Sequence, residues 1–113
     1  MLTVICKAGT VVSVPFPFVD SNQTKHRPAL VLSSKEFNNS HGHSVMVMIT
    51  SAKHSGWPTD IAISDLKNAG LNSPSIIRFK VFTLDNQLII GILGRIVGDD
   101  WKVSQKTLNN ILF

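Results

Sequence analysis

Lys25-His26-Arg27-Pro28-Ala29-Leu30-Val31-Leu32-Ser33-Ser34 runs a basic triplet into a proline and then into an apolar, β-type segment. Pro28 has no N–H to give a sheet ladder, so it belongs at the first position of a strand or on an edge. A strand is therefore expected over Pro28–Ser34. Arg27 then stands where loop becomes strand, a place that steadies a guanidinium while leaving it in water. An ordinary surface arginine ahead of a core strand carries the same local signature, so the rest of the chain has to decide.

Upstream, Thr10 to Phe16 alternates with Val12, Val14 and Phe16 on one face, a period-two strand bounded by Gly9 and by Pro15-Phe16-Pro17-Phe18. Asp20-Ser21-Asn22-Gln23-Thr24 reads as a polar loop. Downstream, Lys35–His43 is polar and closes on a turn at Asn38-Asn39-Ser40 and Gly42, with room for one helical turn at Glu36-Phe37. Ser44–Thr50 is almost wholly apolar, as expected of a central strand covered on both faces. Asp60–Ile63 is a short alternating strand, and Ser64–Gly70 a capped helical turn closed by glycine. Ser75–Phe82 and Leu88–Val97 are two more strands, the second interrupted by Gly91 and Gly94, where a sheet bends or bulges. Asp99–Phe113 places Trp101, Leu108, Ile111 and Leu112 on one helical face, with Asp99 or Asp100 as the expected N-cap. Many short strands and one C-terminal helix predict a small, strongly bent antiparallel barrel.

The 113 residues suffice for a single domain with a real core, over residues 1–113. Apolar residues make up 43% and charged ones only 16%; such a chain hides much of its surface and leaves some for a partner. The formal charge of +4 and pI near 9.6 permit an anionic partner such as nucleic acid without requiring one. Cys6 is the sole cysteine, so no internal disulfide forms and a reducing cytoplasm is the expected setting. Residues 1–7 are too short for a signal sequence, and no apolar run approaches the ~20 residues of a membrane span.

Few residues carry recognisable chemistry. His41-Gly42-His43 resembles a metal pair only superficially, because neither Cys nor a carboxylate at helical spacing accompanies it. No G-x-G-x-x-G, P-loop, H-E-x-x-H or G-x-S-x-G occurs, so those nucleotide, zinc-protease and serine-hydrolase signatures are absent. If Pro28–Ser34 and Ser44–Thr50 pair antiparallel with Ser34 opposite Ser44, Arg27 falls opposite Ser51 and diagonal to Thr50. A guanidinium beside hydroxyls suits a phosphodiester: its planar fork meets non-bridging oxygens, and its charge gains value as negative charge develops. His26, next to Arg27, is an imidazole, the side-chain type most often used for proton transfer.

Gly9-Thr10-Val11-Val12-Ser13-Val14-Pro15-Phe16-Pro17-Phe18-Val19-Asp20 followed by Lys25–Ser33 closely resembles the PemK/MazF family of type II toxin endoribonucleases. Gly70-Leu71-Asn72-Ser73-Pro74-Ser75-Ile76-Ile77-Arg78, Phe82-Thr83-Leu84-Asp85 and Leu93-Gly94-Arg95-Ile96 resemble it too, in the family's order. The resemblance implies a mainly β, SH3-like barrel of the CcdB/PemK type with a C-terminal helix. It also implies a homodimer, a cognate antitoxin, and cofactor-free, metal-independent cleavage of single-stranded RNA. Arg27 matches the family's catalytic arginine before proline, Thr50 its catalytic Thr or Ser ending the third strand, and Arg78 a basic residue at the RNA site. Lys25, Ser51, Lys53, Arg78 and Lys80 are the expected RNA contacts, with His26 as a proton carrier.

Two positions depart from the family pattern. Lys80 stands where some members place an aspartate two residues after the arginine, and Asn22-Gln23-Thr24-Lys25 stands where others carry an acidic residue. The proton acceptor is therefore unassigned by the resemblance. Other readings of the same small barrel are a CcdB-like toxin that binds gyrase and cuts nothing, and a catalytically inactive relative that still holds RNA or antitoxin.

Overall fold

A computed structural model describes residues 3–15, 26–53 and 56–113. The expected polar loop 20–24, Phe16, Lys25 and His54 lie outside the described residues. The elements run β1 (Thr10–Pro15), β2 (His26–Val31), α1 (Lys35–His41), β3 (His43–Ser51), β4 (Ile61–Ala62), α2 (Leu66–Ala69), β5 (Ser75–Asp85), a 3₁₀ turn (Asn86–Leu88), β6 (Gly91–Arg95) and α3 (Gly98–Leu112). The strands form one antiparallel sheet in the order β4-β5-β3-β2-β1-β6. It is a mainly β, curled half-barrel with a C-terminal helix, as expected.

Both faces of the sheet are covered. Because successive strand residues point to opposite faces, Val11, Leu30, Val47, Ile49 and Ile77 build one core with Phe79, Ile63, Ala69 and Ile96. Trp101 and Leu108 of α3 pack against that core. Val12, Val14, Ala29, Val31 and Met46 build a second core with Cys6, Leu84 and Ile89. The expected Val12/Val14 face is therefore right, but Val11 is equally buried on the other side. Ile111 and Leu112, expected on the packed face of α3, are largely exposed.

The β2–β3 register differs by one residue from the expected pairing. Ala29 faces Met48, Leu30 faces Val47 and Val31 faces Met46, whereas Ser34 opposite Ser44 would have put Ala29 opposite Ile49. The cause is α1, two turns of helix where a polar turn was expected. Ser34 leaves the strand to cap it, accepting from the Phe37 N–H at 3.2 Å. The Ser33 hydroxyl accepts from the Val45 N–H at 2.8 Å, standing in for a ladder bond. Asn38, fully buried, donates from Nδ2 to the Cys6 and Ser33 carbonyls, while Asn86 Nδ2 donates to the Asn38 carbonyl at 2.8 Å. This buried amide network pins α1 to the second core and so sets where β3 begins.

The open side of the half-barrel is bridged by α2 against β6. A Cβ on Gly94 would lie 2.3 Å from the Asn68 carbonyl oxygen, and one on Gly70 2.0 Å from that of Leu93. Gly70 also has φ +74°, as helix C-caps require. The irregularity expected near Gly94 is present: the β1–β6 register shifts between Val11 and Val12, leaving Leu93 as the extra residue. Asp100 does not cap α3, whose N-cap is Val97 without a side-chain bond. It is buried instead and accepts from the Ser64 N–H, the Ser64 hydroxyl and the Asp65 N–H, which ties the start of α2 to α3.

Candidate nucleic-acid interface

Arg27 is on β2 opposite Val14 of β1, half-buried, with its Nε shielded from solvent. The Ala29–Met48 pair fixes the facing rows of β2 and β3. Two residues further along both strands, Arg27 and Thr50 come to corresponding positions on the same face. Among the described residues the β2–β3 ladder stops at Ala29, while β3 continues to Ser51 on β5. Pro28 stands where the ladder ends, three residues into an interior strand and not at its first position. Beyond the Ala29–Met48 pair, Arg27 stands on β2 and Thr50 on β3.

β5 flanks β3 on its other side. Thr50 faces Ile76 and Met48 faces Arg78. Arg78 makes a bidentate ion pair with Asp60, Nε to Oδ1 at 3.1 Å and Nη2 to Oδ2 at 2.8 Å, and these side chains are only 12% and 10% exposed. Asp60 Oδ2 also accepts from the Trp57 N–H at 2.7 Å, while the Asp60 N–H donates back to the Trp57 carbonyl at 3.0 Å. The Arg78 hydrogen bonds hold the Asp60 carboxyl below its ordinary value, and Asp60 in turn raises Arg78. The Arg78 guanidinium carbon is 5.5 Å and Lys80 Nζ 5.6 Å from the Trp57 ring centroid.

The other expected contacts are placed differently. Ser51 is half-buried opposite Ser75, on the reverse face from Thr50. Its hydroxyl accepts from the Lys53 N–H at 3.2 Å, so it serves the turn after β3. Lys53 is exposed in that turn. His26 is exposed opposite Pro15, and the alternation turns it to the face away from Arg27. Lys25 lies outside the described residues. His41 stacks on Phe37, centroids 4.1 Å apart, with Nδ1 3.1 Å from the Phe37 carbonyl, and His43 Nδ1 is 2.9 Å from the His41 carbonyl. Among the described residues no three His, Cys, Asp or Glu side chains group to hold a metal ion.

Asp60 is a site residue that sequence reasoning missed. Trp57 lies in the Lys53–Thr59 loop, on which base recognition is expected to depend, but sequence reasoning did not single it out there. Asp60 read as the start of a strand, because its partner lies 18 residues away on β5. The usable signal was Trp57-Pro58-Thr59-Asp60 itself, a turn-forming quartet that opens on a large aromatic.

The same overall fold recurs among solved structures. The family described as the PemK-like, MazF-like toxin of type II toxin-antitoxin systems matches residues 7–112, and the chain belongs to that family. Among solved structures it is similar to the MazE-MazF complex (Form-III) from Deinococcus radiodurans, at 22% identity and TM-score 0.75, covering 96% of this chain and 97% of that one. An endoribonuclease in complex with its cognate antitoxin from Mycobacterial species is 17% identical with TM-score 0.73, covering 96% and 93%. The toxin MazF-mt6 of Mycobacterium tuberculosis is 20% identical with TM-score 0.69, covering 89% and 93%. No curated protein matches. Among the described residues no helix is long and apolar enough to cross a membrane.

Proposed function

We propose that this chain is an endoribonuclease that cuts single-stranded RNA through the substrate's own 2′-hydroxyl, acts as the toxin of its pair, and is held in check by a cognate antitoxin. What supports the reading is that Arg27 and Thr50 take corresponding positions on one face, two residues beyond the Ala29–Met48 pair, in a chain of this toxin family. In the reaction the 2′-oxygen bonds to phosphorus and the bond to the 5′-oxygen breaks. The 2′-hydroxyl loses its proton and the 5′-oxygen gains one, leaving a 2′,3′-cyclic phosphate and a 5′-hydroxyl. Arg27 stays charged throughout, so it serves as the fork that meets the developing negative charge and not as the base. Thr50 donates its hydroxyl to a phosphate oxygen. Lys53 and Lys80 draw in the RNA backbone.

His26 is not retained as proton carrier in this scheme, since it faces away from Arg27, and Ser51 is not retained as a second donor. The gyrase-binding reading has no feature here that favours it. The test is to incubate purified protein with a long single-stranded RNA in excess EDTA. Discrete fragments with 5′-hydroxyl and cyclic phosphate ends are expected. Activity lost in EDTA and restored by one divalent ion rejects the mechanism.

A further inference from the structure

We propose that the Trp57 indole is a stacking platform for an unpaired base of the RNA strand that passes Arg27 and Thr50. The substrate rests on the ribonuclease reading; the site rests on its own observations. Trp57 is 41% exposed and belongs to neither core cluster. Two backbone hydrogen bonds to Asp60 fix the turn that carries it. Arg78, held by the same carboxylate, and Lys80 lie over the ring, 5.5 and 5.6 Å from its centroid. Asp60 thus fixes both the aromatic residue's backbone and one of the cations beside its ring. Single-stranded nucleic acid is recognised in this way, by bases on aromatic faces with cations alongside for the phosphates.

Distance favours the same reading. Arg78 faces Met48, two residues before Thr50. Ideal strand spacings put the Arg78 and Thr50 backbones on the order of 8 Å apart, a span that one or two extended nucleotides cover. Asp60 answers much of the Arg78 charge, so exposed Lys80 is the cation left for a phosphate, and Arg78 is a positioning residue for the ring.

The probe is a short single-stranded deoxyoligonucleotide of mixed sequence, which lacks the 2′-hydroxyl and cannot be cut. Titrated into the full chain, it should quench tryptophan emission, and equally in Trp101→Phe, leaving Trp57 as the reporter. Affinity, followed by anisotropy of labelled oligonucleotide, should fall about 5- to 150-fold in Trp57→Ala and recover most of that in Trp57→Phe, with melting temperatures unchanged. Absence of quenching in the wild type, or equal affinity in Trp57→Ala, overturns the platform. So does quenching by an acidic, apolar peptide but not by the oligonucleotide, which would assign the ring to an antitoxin segment. Because nothing need be cut, a chain that quenches yet leaves RNA intact upholds the platform and rejects the ribonuclease reading. A chain that cuts RNA with unaltered Trp57 emission does the reverse.

Discussion

Arg27 and Asp60 show how two charges on one sheet face are given different work. Arg27 stands on β2 two residues beyond the last β2–β3 ladder pair, and lysine there would keep the charge but lose the planar fork. Arg27→Lys should lower the single-turnover rate at saturating RNA by roughly a hundred- to a thousandfold, the usual worth of an oxyanion-type donor. Binding of 2′-deoxy substrate should change little. Full activity at saturating RNA removes Arg27 from the chemistry, and a loss rescued by low salt makes it a phosphate anchor only. Asp60 is instead held ionised by Arg78, its carboxyl below the ordinary 3.8. A depressed acid contributes stability that is fully present above its unfolded pKa and is lost as pH falls through the folded one. Wild type should therefore lose urea resistance on acidification below about pH 4 more steeply than Asp60→Asn. Asp65, lowered in the same direction by Asn68, is common to both proteins and cancels in the comparison. Parallel acid profiles for the two proteins would show that the pair contributes nothing to folding.

Among the elements, α2 matters out of proportion to its four residues, because its backbone lies directly on β6. That approach exists only where Cβ atoms are missing. Gly94→Ala puts a methyl 2.3 Å from the Asn68 carbonyl and 2.6 Å from the Ala69 carbonyl carbon, so helix and strand have to separate. The expected cost is about 1–3 kcal/mol, or at least about 4 °C in melting temperature for a domain near this size. Gly91 on the same strand has nothing within 4 Å of a Cβ, and Gly91→Ala should stay within about 0.5 kcal/mol of wild type. Equal melting temperatures for the two variants would mean that α2 does not close the half-barrel in solution.

At the scale of the whole molecule, the described residues leave large apolar side chains exposed on a chain with only 16% charged residues. Leu88, Ile90 and Ile92 are 49%, 50% and 60% exposed along the edge that carries β6, and Leu112 and Phe113 are exposed at the end of α3. An edge strand with an apolar face invites pairing unless something covers it. The chain should scatter light as a homodimer at micromolar concentration, and an antitoxin segment of apolar and acidic character should raise its melting temperature with the logarithm of its concentration above Kd. A monomer at those concentrations counts against the dimer.

Local patterns were enough for the strands and for the mainly β class. The Val12/Val14 alternation, the unbroken apolar run of β3 and the glycine punctuation each follow from side-chain period and backbone freedom, which are properties of neighbours in the chain. Arg27 and Thr50 were legible as candidates for the same reason: each ends or begins an apolar run. Even the opposed direction of His26 was within reach of local reasoning, had β2 been started at His26 and not at Pro28. Register was not legible. It depends on α1, whose polar stretch holds a single large apolar residue, Phe37, and which is held in place by Asn38 bonding to Cys6 and Asn86 from distant parts of the chain. The Asp60–Arg78 pair, the Trp57 ring beside it and Asp100 reaching Ser64 are of the same kind. Sequence by itself determined that strands run through these stretches and which of their residues are apolar, because the local pattern is set within a few residues. It did not determine where each strand starts and stops: Leu88–Val97 narrows to Gly91–Arg95, with Leu88 in a 3₁₀ turn. Only the tertiary structure decided which charge meets which, because a one-residue slip between strands costs nothing locally and turns every side chain to the other face.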